Sequence, residues 1–198
     1  MGDISPAQLQ LNRVKVAEAG WEVQVVGREV LDIVDLSRFP SAAFNAVVCY
    51  GGPLSYMFDR TEQALQELLR VTRPGGHLLL SVMSLVGSTR AGLGAALGFV
   101  GRFGLEAVSH VARTGDLDGS LNGHACRMFR WSELKAMLER QTCAIVGAAA
   151  SGSLVPGQQL PAMEPVVWER FLEWELDYSQ EPGAIDRGTH ILAVVRKH

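Results

Sequence analysis

The sequence contains few cysteines and no surplus of positive charge. Its three cysteines lie far apart in 198 residues, so they form neither a disulfide framework nor the paired spacing of a zinc site. Lys and Arg number 18 against 21 Asp and Glu, and no run of basic residues could follow a nucleic-acid backbone. We therefore expect no bound metal, no nucleic-acid partner and a reducing, cytoplasmic location.

Long apolar runs are also absent. The most apolar stretch, residues 91–101, has 11 residues between Arg90 and Arg102, whereas a helix that spans a bilayer needs about 20. We expect this stretch to form a buried or groove-lining helix, and we expect no membrane partner. The first residues, Met-Gly-Asp-Ile-Ser-Pro, have neither the basic nor the apolar region of a signal peptide.

The composition is that of one globular domain over residues 1–198, with 47% hydrophobic and 20% charged residues. Ser5 and Pro6 begin a helix that runs to about Ala19, and a second capping box, Asp59–Glu62, begins a helix that ends near Arg73. Strand-like apolar runs occupy residues 21–26, 44–50 and 77–83. This alternation predicts an α/β fold with a parallel sheet.

The second half of the chain is less regular. Residues 85–130 are rich in glycine, and because long insertions in compact domains are usually functional, we expect a lid or substrate segment there. Ser132 is expected to cap the next helix, and the last two strands are predicted at 143–149 and 189–195. Between them, residues 150–188 form a helical segment whose apolar stripe is either core or an aromatic substrate wall.

Three segments in order resemble the class I S-adenosylmethionine-dependent methyltransferases. They are Asp3-Ile-Ser-Pro with the helix to Gly20, Phe-Asn-Ala-Val-Val-Cys-Tyr-Gly-Gly-Pro-Leu-Ser-Tyr at 44–56, and residues 64–81 with Arg-Pro-Gly-Gly. The resemblance implies a Rossmann-like methyltransferase sheet, mostly parallel with an antiparallel last strand, and S-adenosyl-L-methionine as cofactor. Open α/β sheets bind ligands beyond the carboxyl ends of their strands.

The resemblance assigns the cofactor to residues at these strand ends. Asp3 matches the acidic residue that takes both ribose hydroxyls, since an ionised carboxylate accepts hydrogen bonds only, and Ile4 lies beside it. The alternative is that Asp3 merely precedes the Ser5 cap. The residues beside the sulfonium are matched by Cys49, Tyr50, Gly51 and Gly52, which could also form an ordinary strand-to-loop turn.

The sequence departs from the family in three places. Arg28 stands where an acidic residue usually follows the third strand, so the adenine contact is assigned to Glu29 or to the backbone of Val30. Asn45 replaces the usual aspartate that opens the fourth strand. The first strand and its glycine-rich loop have no counterpart, because Met1 almost directly precedes the matched segment. We therefore expect an incomplete domain, whether a fragment, a miscalled start or a decayed gene, with unpaired strand edges.

Methyl transfer from a sulfonium is an in-line displacement that depends on alignment more than on acid or base, and a general base helps only where the acceptor loses a proton. Tyr56 and His124 are the catalytic candidates, and together with Arg127 they are the substrate-binding candidates. His124 could instead be a surface histidine, and Arg127 could clamp an anion or stack on Trp131. Asp116–Gly119 does not continue into the oxygen ligands of a calcium loop.

The sequence therefore predicts an S-adenosylmethionine-dependent methyltransferase that acts on a small molecule. The alternative is a non-catalytic methyltransferase-like protein that binds a partner through its open sheet edge, or a truncated inactive fragment. A nicotinamide dehydrogenase is disfavoured, because no Gly-x-Gly-x-x-Gly follows a strand. The methyl acceptor and the oligomeric state stay open.

Overall fold

The computed structural model describes residues 1–154 and 161–198. Its strands are β1 (Gly2–Asp3), β2 (Glu29–Val30), β3 (Phe44–Cys49), β4 (Thr72–Met83), β5 (Asp116–Asp118), β6 (Ala125–Arg127), β7 (Cys143–Ser151) and β8 (His190–Lys197). Its α-helices are α1 (Pro6–Glu18), α2 (Thr61–Val71), α3 (Leu85–Ala91), α4 (Leu93–Phe103), α5 (Leu105–Thr114), α6 (Trp131–Glu139) and α7 (Pro165–Ser179). Two 3₁₀ turns, Pro53–Tyr56 and Phe58–Arg60, connect β3 to α2.

Four strands form the main sheet in the order β3-β4-β8-β7. β3 and β4 run parallel and are joined through α2, while β8 runs antiparallel to both β4 and β7. The remaining strands form two small pairs, β1 parallel to β2 and β5 antiparallel to β6. The α/β architecture and the antiparallel closing strand that the sequence predicts are therefore confirmed.

The hydrophobic core lies on one face of the main sheet, under α2 and α6. Both helices bury a stripe of side chains at helical spacing, and the strands present alternate residues to them because a strand has a two-residue period. The buried side chains include Leu65, Leu68, Leu69, Leu78, Leu80, Val82, Leu134, Leu138, Ile191 and Val195. This packing fixes where β3, β4 and β8 end.

The opposite face of the main sheet is largely uncovered. Val48 of β3 is 63% exposed, while its neighbours Val47 and Cys49 pack into the core on the other side. No strand within residues 1–154 and 161–198 pairs with the free edge of β3, and α1 buries none of its residues. An unpaired edge presents a row of backbone hydrogen-bonding groups to any segment that can extend along it.

Two predicted helix starts are wrong, and in both cases the helix begins at a different residue from the expected one. Asp59 lies in a 3₁₀ turn and does not cap α2, which begins at Thr61, whose hydroxyl donates to the carbonyl of Phe58 at 2.7 Å. α6 begins at Trp131, ahead of the expected Ser132 cap. The N–H of Trp131 donates to Asp186 Oδ1 at 2.7 Å, an acceptor that lies 55 residues further along the chain.

The strand predicted at residues 21–26 is also wrong. Glu22–Gln24 is a 3₁₀ turn, and β2 begins only at Glu29. Val23 and Val26 are fully open to solvent, because no strand or helix of the described residues covers them. Strand propensity without a partner does not produce a strand.

The glycine-rich segment 85–130 is more regular than the sequence predicts. It folds as α3, α4 and α5 followed by the β5–β6 hairpin, around a small apolar cluster of its own that includes Leu117, Cys126 and Met128. Of the two alternatives for residues 91–101, the buried helix is wrong, since α4 contains no buried residue, and the groove-lining helix stays a prediction. None of the helices described is both long enough and apolar enough to cross a membrane.

The segment between the last two strands contains α7, as predicted, and residues 155–160 lie outside the described part of the chain. The apolar stripe of α7 is not core: Val167, Trp174 and Tyr178 are all exposed, because the helix lies over the less covered side of β7. β7 itself extends to Ser151.

Candidate functional site

The candidate site lies at one edge of the main sheet, where three strands meet. β3 ends at Cys49 and the parallel β4 ends at Met83, so their carboxyl ends share this edge. β8 runs antiparallel and starts here, with His190 opposite Met83. Crevices beyond the carboxyl ends of parallel strands are the usual ligand sites of open α/β sheets.

A glycine turn directly after β3 forms the floor of this edge. Gly51 and Gly52 adopt φ values of 88° and 77°, which favour glycine, and no atom lies within 4 Å of the place where a Cβ on Gly51 would stand. The N–H groups of Gly51 and Gly52 donate to Ser81 Oγ of β4 at 3.0 and 3.2 Å. Ser81 therefore holds the turn against β4 and leaves its outer side free for a close-approaching ligand.

The two residues before the turn point in opposite directions. Burial raises the pKa of the Cys49 thiol to about 12, and its side chain belongs to the core, so only the Cys49 backbone can reach the edge. Tyr50 is half-exposed on the uncovered face. There it lines a pocket of about 410 Å³ together with β7, β8 and Leu176 of α7.

The structure brings the two catalytic candidates, Tyr56 and His124, together. Their rings meet edge to face with centroids 5.7 Å apart, because the β5–β6 hairpin folds back over the turn that follows β3. Burial, and secondarily the nearby Cys126 thiol, raises the pKa of the Tyr56 phenol. His124 is exposed, and its backbone N–H donates to Asn122 Oδ1 at 3.0 Å within a tight turn. Tyr56 ends the 3₁₀ turn that begins directly after Gly52, so the pair belongs to the connection that follows β3.

Arg127 occupies a separate pocket. Its guanidinium packs over the ring of Phe129 at 5.2 Å, and not over Trp131 as the sequence allowed. Its Nε is buried without a hydrogen-bond partner in the described residues and lies 4.0 Å from Asp116 Oδ1. The pocket has a volume of about 430 Å³ between the start of α2 and α6, and Glu62 and Arg140 form an ion pair at its rim.

The first strand pair carries the other proposed cofactor residues. Asp3 Oδ1 accepts the N–H of Ser5 at 2.8 Å, while Oδ2 accepts no hydrogen bond from the described residues. Glu29 is engaged by Arg38, with 2.6 Å between Glu29 Oε2 and Arg38 Nη1. The side chains of Ile4, which follows β1, and of Val30, the last residue of β2, are both exposed. Asp3 thus both precedes the helix cap and keeps one oxygen for a ligand.

Sequence reasoning missed His190. Its imidazole is half-buried, with Nε2 about 3.6 Å from where a Cβ on Gly52 would stand and Nδ1 3.4 Å from the Thr189 hydroxyl. Burial lowers the pKa of His190, so the ring is neutral at pH 7. The signal was available, since an antiparallel last strand must begin at the edge where β4 ends. No group of three or more potential metal ligands occurs in the described residues.

Comparisons with known proteins agree with this geometry. Residues 1–76 match a family model described as a methyltransferase domain. The structure resembles an S-adenosylmethionine-dependent methyltransferase from Clostridium acetobutylicum with a TM-score of 0.56, at 11% identity over 99% of this chain and 73% of that one. This is the class I methyltransferase fold. The family resemblance that the sequence indicates is therefore confirmed.

Two further solved structures align with this chain at similar TM-scores. Geranyl diphosphate C-methyltransferase from Streptomyces coelicolor, in complex with Mg²⁺, geranyl diphosphate and S-adenosyl-L-homocysteine, aligns with a TM-score of 0.52 at 14% identity, over all of this chain and 62% of that one. The cyclase SpnF aligns with a TM-score of 0.53 at 14% identity, over 99% and 65%. This chain thus spans about two thirds of such structures. No curated protein sequence matches it.

The methyltransferase fold can be tested for its fit to the cofactor. At the β3 end, the open space beside Gly51 and the exposed Tyr50 suit a ligand that passes over the turn. At the β1 end, the free oxygen of Asp3 suits a hydroxyl donor. The described residues contain no strand or glycine loop between these two ends. The residues present therefore fit two parts of an S-adenosylmethionine molecule.

Proposed function

We propose that this chain functions as an S-adenosylmethionine-dependent methyltransferase that acts on a small molecule. The observation that carries the proposal is the glycine turn after β3, which Ser81 anchors at the carboxyl edge. The 3₁₀ turn that follows it ends at Tyr56, whose ring contacts His124. The family match over residues 1–76 supports the cofactor. A cytoplasmic location belongs to the same proposal, because the three cysteines are all free and buried.

The proposed chemistry needs the acceptor and the methyl group to be aligned and water to be excluded from the carboxyl edge of the sheet. When bound, S-adenosylmethionine supplies an electrophilic methyl group, which the acceptor attacks in line with the bond to sulfur. The backbone of Gly51 permits close approach to that group, and Tyr50 shields it on the uncovered face. Tyr56 and His124 bind the acceptor. His190, which is neutral, accepts a proton where the acceptor must lose one and then returns it to water.

The remaining cofactor contacts follow the strand ends. Asp3 accepts from the ribose hydroxyls through its free oxygen, and Ile4 packs beside the ribose. The backbone of Val30 receives the adenine in preference to the Glu29 carboxylate, because Arg38 already engages that carboxylate. Arg127 lines its own pocket and is assigned there to an anionic part of the acceptor, through the guanidinium nitrogens other than the buried Nε.

A second candidate is a methyltransferase-like protein that binds an extended segment of a partner. The free edge of β3 favours it, because strand addition uses backbone groups that this edge leaves unpaired. The structural similarity to a cyclase also shows that the fold alone does not define the reaction.

Calorimetric titration with S-adenosylhomocysteine separates the two candidates. The test compares the unmodified chain with Asp3→Asn, which keeps an amide oxygen for the Ser5 N–H but removes the negative charge. Losing a charged acceptor for two hydroxyls should weaken binding at least about tenfold. Asp35→Asn is the matched control, because Asp35 Oδ1 accepts the N–H of Ser37 at 3.0 Å in the same kind of turn near α2.

Each result has a definite meaning. Binding that Asp3→Asn weakens and Asp35→Asn leaves intact supports the ribose assignment and the enzyme. Equal affinity in all three proteins contradicts the role of Asp3. No binding by the unmodified chain refutes cofactor use by these residues and favours the partner-binding candidate.

A further inference from the structure

The helical hairpin of α4 and α5 exposes an apolar surface that the proposed function does not use. Leu93, Leu97 and Leu105 are 52%, 65% and 64% exposed, while Phe99 and Phe103 on the other side pack on the small cluster of the insertion. Leu93 and Leu97 are four residues apart and so share one face of α4. Patches of exposed apolar side chains are typical of interaction surfaces.

Glycines flatten this face. Gly94, Gly98 and Gly101 have open space where a Cβ would stand, so the helix presents a smooth surface with two protruding leucines. Glycine lowers the intrinsic stability of a helix interior, and α4 has three of them in 11 residues. A helix of this composition gains from a second apolar surface laid against it.

The charges around the hairpin are positive. Residues 85–114 carry Arg90, Arg102 and Arg113 against the single Glu106, whereas the whole chain has a net charge of -3. Arg113 forms an ion pair with Glu106 at 3.9 Å, so the excess positive charge comes from Arg90 and Arg102. Arg102 is exposed and lies over the ring of Phe103 at 5.0 Å. Between Arg90 and Arg102 the sequence has no charged residue at all. A leucine face with an arginine border is the pattern of helices that lie in the interface of anionic membranes.

The base of the hairpin is tied to the domain. Arg90 of α3 donates through Nη2 to the carbonyls of Ser153 and Arg187 at 3.0 and 2.8 Å. The N–H of Leu85 donates to the carbonyl of Phe129 at 2.9 Å. The leucines therefore project from an anchored element, which can meet a flat partner without first unfolding.

The other large apolar surface has the opposite charge. Trp174 and Leu176 of α7 are exposed, and Leu176 matches Leu97 with 64% exposure. However, α7 carries four carboxylates against one arginine, so an anionic surface would repel it. The contrast in charge, at equal exposure, selects the α4–α5 hairpin over α7.

We propose that the leucine face of the α4–α5 hairpin docks on the surface of an anionic lipid bilayer. This inference departs from the sequence-based expectation of no membrane partner. That expectation rested on the lack of a spanning run, and peripheral docking of an 11-residue helix is a different mode of contact. Leu93 and Leu97 enter the boundary between headgroups and acyl chains, and the exposed Arg102 interacts with lipid phosphates. This inference is independent of methyl transfer.

The test is co-sedimentation of the full chain with vesicles. Phosphatidylcholine vesicles that contain about a third phosphatidylglycerol should retain the protein, and pure phosphatidylcholine vesicles should not. Leu97→Asp should weaken retention at least about tenfold, and Arg102→Gln about fivefold. The matched control is Leu176→Asp, which should bind as the unmodified chain does. All variants should keep the circular dichroism spectrum, because both leucines lie outside the core.

Three outcomes would overturn the proposal. The first is no retention on anionic vesicles. The second is equal loss of binding in Leu97→Asp and Leu176→Asp, which would indicate nonspecific adhesion. The third is concentration-dependent dimerisation, seen by sedimentation velocity without vesicles and abolished by Leu97→Asp, which would assign the face to a second copy of the chain. The readout needs no cofactor, so failure of the proposed function leaves it unaffected.

Discussion

Ser81→Ala should destabilise the protein specifically through the turn that follows β3. The hydroxyl of Ser81 accepts two backbone N–H groups, from Gly51 and Gly52, and Ser81 is itself only 2% exposed. Alanine leaves the β-strand and its packing intact, since it removes a single oxygen atom. The substitution therefore removes the two hydrogen bonds that Ser81 Oγ accepts and changes little else.

The two amides differ in what replaces Ser81. Gly51 is exposed, so water can take over and the cost is about 0.5 kcal/mol. Gly52 is buried, and a buried amide without a partner costs about 1–3 kcal/mol. We expect a total loss of about 1.5–3.5 kcal/mol in the free energy of unfolding. With a urea dependence of about 2 kcal/mol/M, the midpoint should fall by about 0.8–1.8 M.

Urea unfolding followed by tryptophan fluorescence measures this shift. Ser179→Ala is the control, because Ser179 is similarly buried but its hydroxyl only donates, to the carbonyl of Leu176 at 3.0 Å. Its removal strands no buried N–H group, so it should cost less than about 1 kcal/mol. A Ser81→Ala midpoint no lower than that of Ser179→Ala would refute the claim that Ser81 anchors the turn.

Two further substitutions test the packing and the electrostatics. A Cβ on Gly87 would overlap the carbonyl oxygen of Gly188, so Gly87→Ala should lower the free energy of unfolding in urea by at least about 2 kcal/mol. Gly98 lies in open space, and Gly98→Ala should stabilise the protein by about 0.5–1 kcal/mol. Equal urea midpoints for the two variants would contradict the close approach of Gly87 to Gly188. A hydrogen bond from Arg70 lowers the pKa of Glu67 below its ordinary 4.5, so its stabilisation is present above that value and is lost as pH falls through the folded value. Glu67→Gln should therefore cost about 1 kcal/mol at pH 7 and nothing once the carboxyl is protonated in both states; a difference that persists in acid would show that packing, not charge, is lost.

The elements with strong local signals were predictable. Ser5 and Pro6 set the start of α1, and in the structure Ser5 Oγ accepts the N–H of Gln8 at 3.4 Å. The apolar run at 44–50 contains β3 because it is short, includes two valines and is followed by two glycines. Residues 64–69 became the buried face of α2 because their leucines recur at helical spacing. These features depend on residues within a few positions of each other.

Part of the candidate site was also visible in the sequence. Tyr56 and His124 were identified one by one, from a strand end and from the end of the insertion, and the fold sets their rings 5.7 Å apart. Their contact could not be derived, because the two residues are 68 positions apart and meet only where the β5–β6 hairpin folds back. His190 was overlooked because its position beside the end of β4 follows only from the antiparallel pairing of the last strand, and not from the residues next to it in the sequence.

The sequence by itself determined which segments could be helix or strand and which glycines could turn, since those preferences are local. Tertiary structure alone decided which apolar residues are covered. Val26 and Leu97 are as apolar as Leu65, yet only Leu65 is buried, because burial requires a second surface at the right distance. It likewise decided that Asp186 would begin α6 and that Ser81 would hold the glycine turn, since both bonds join groups that are remote along the chain.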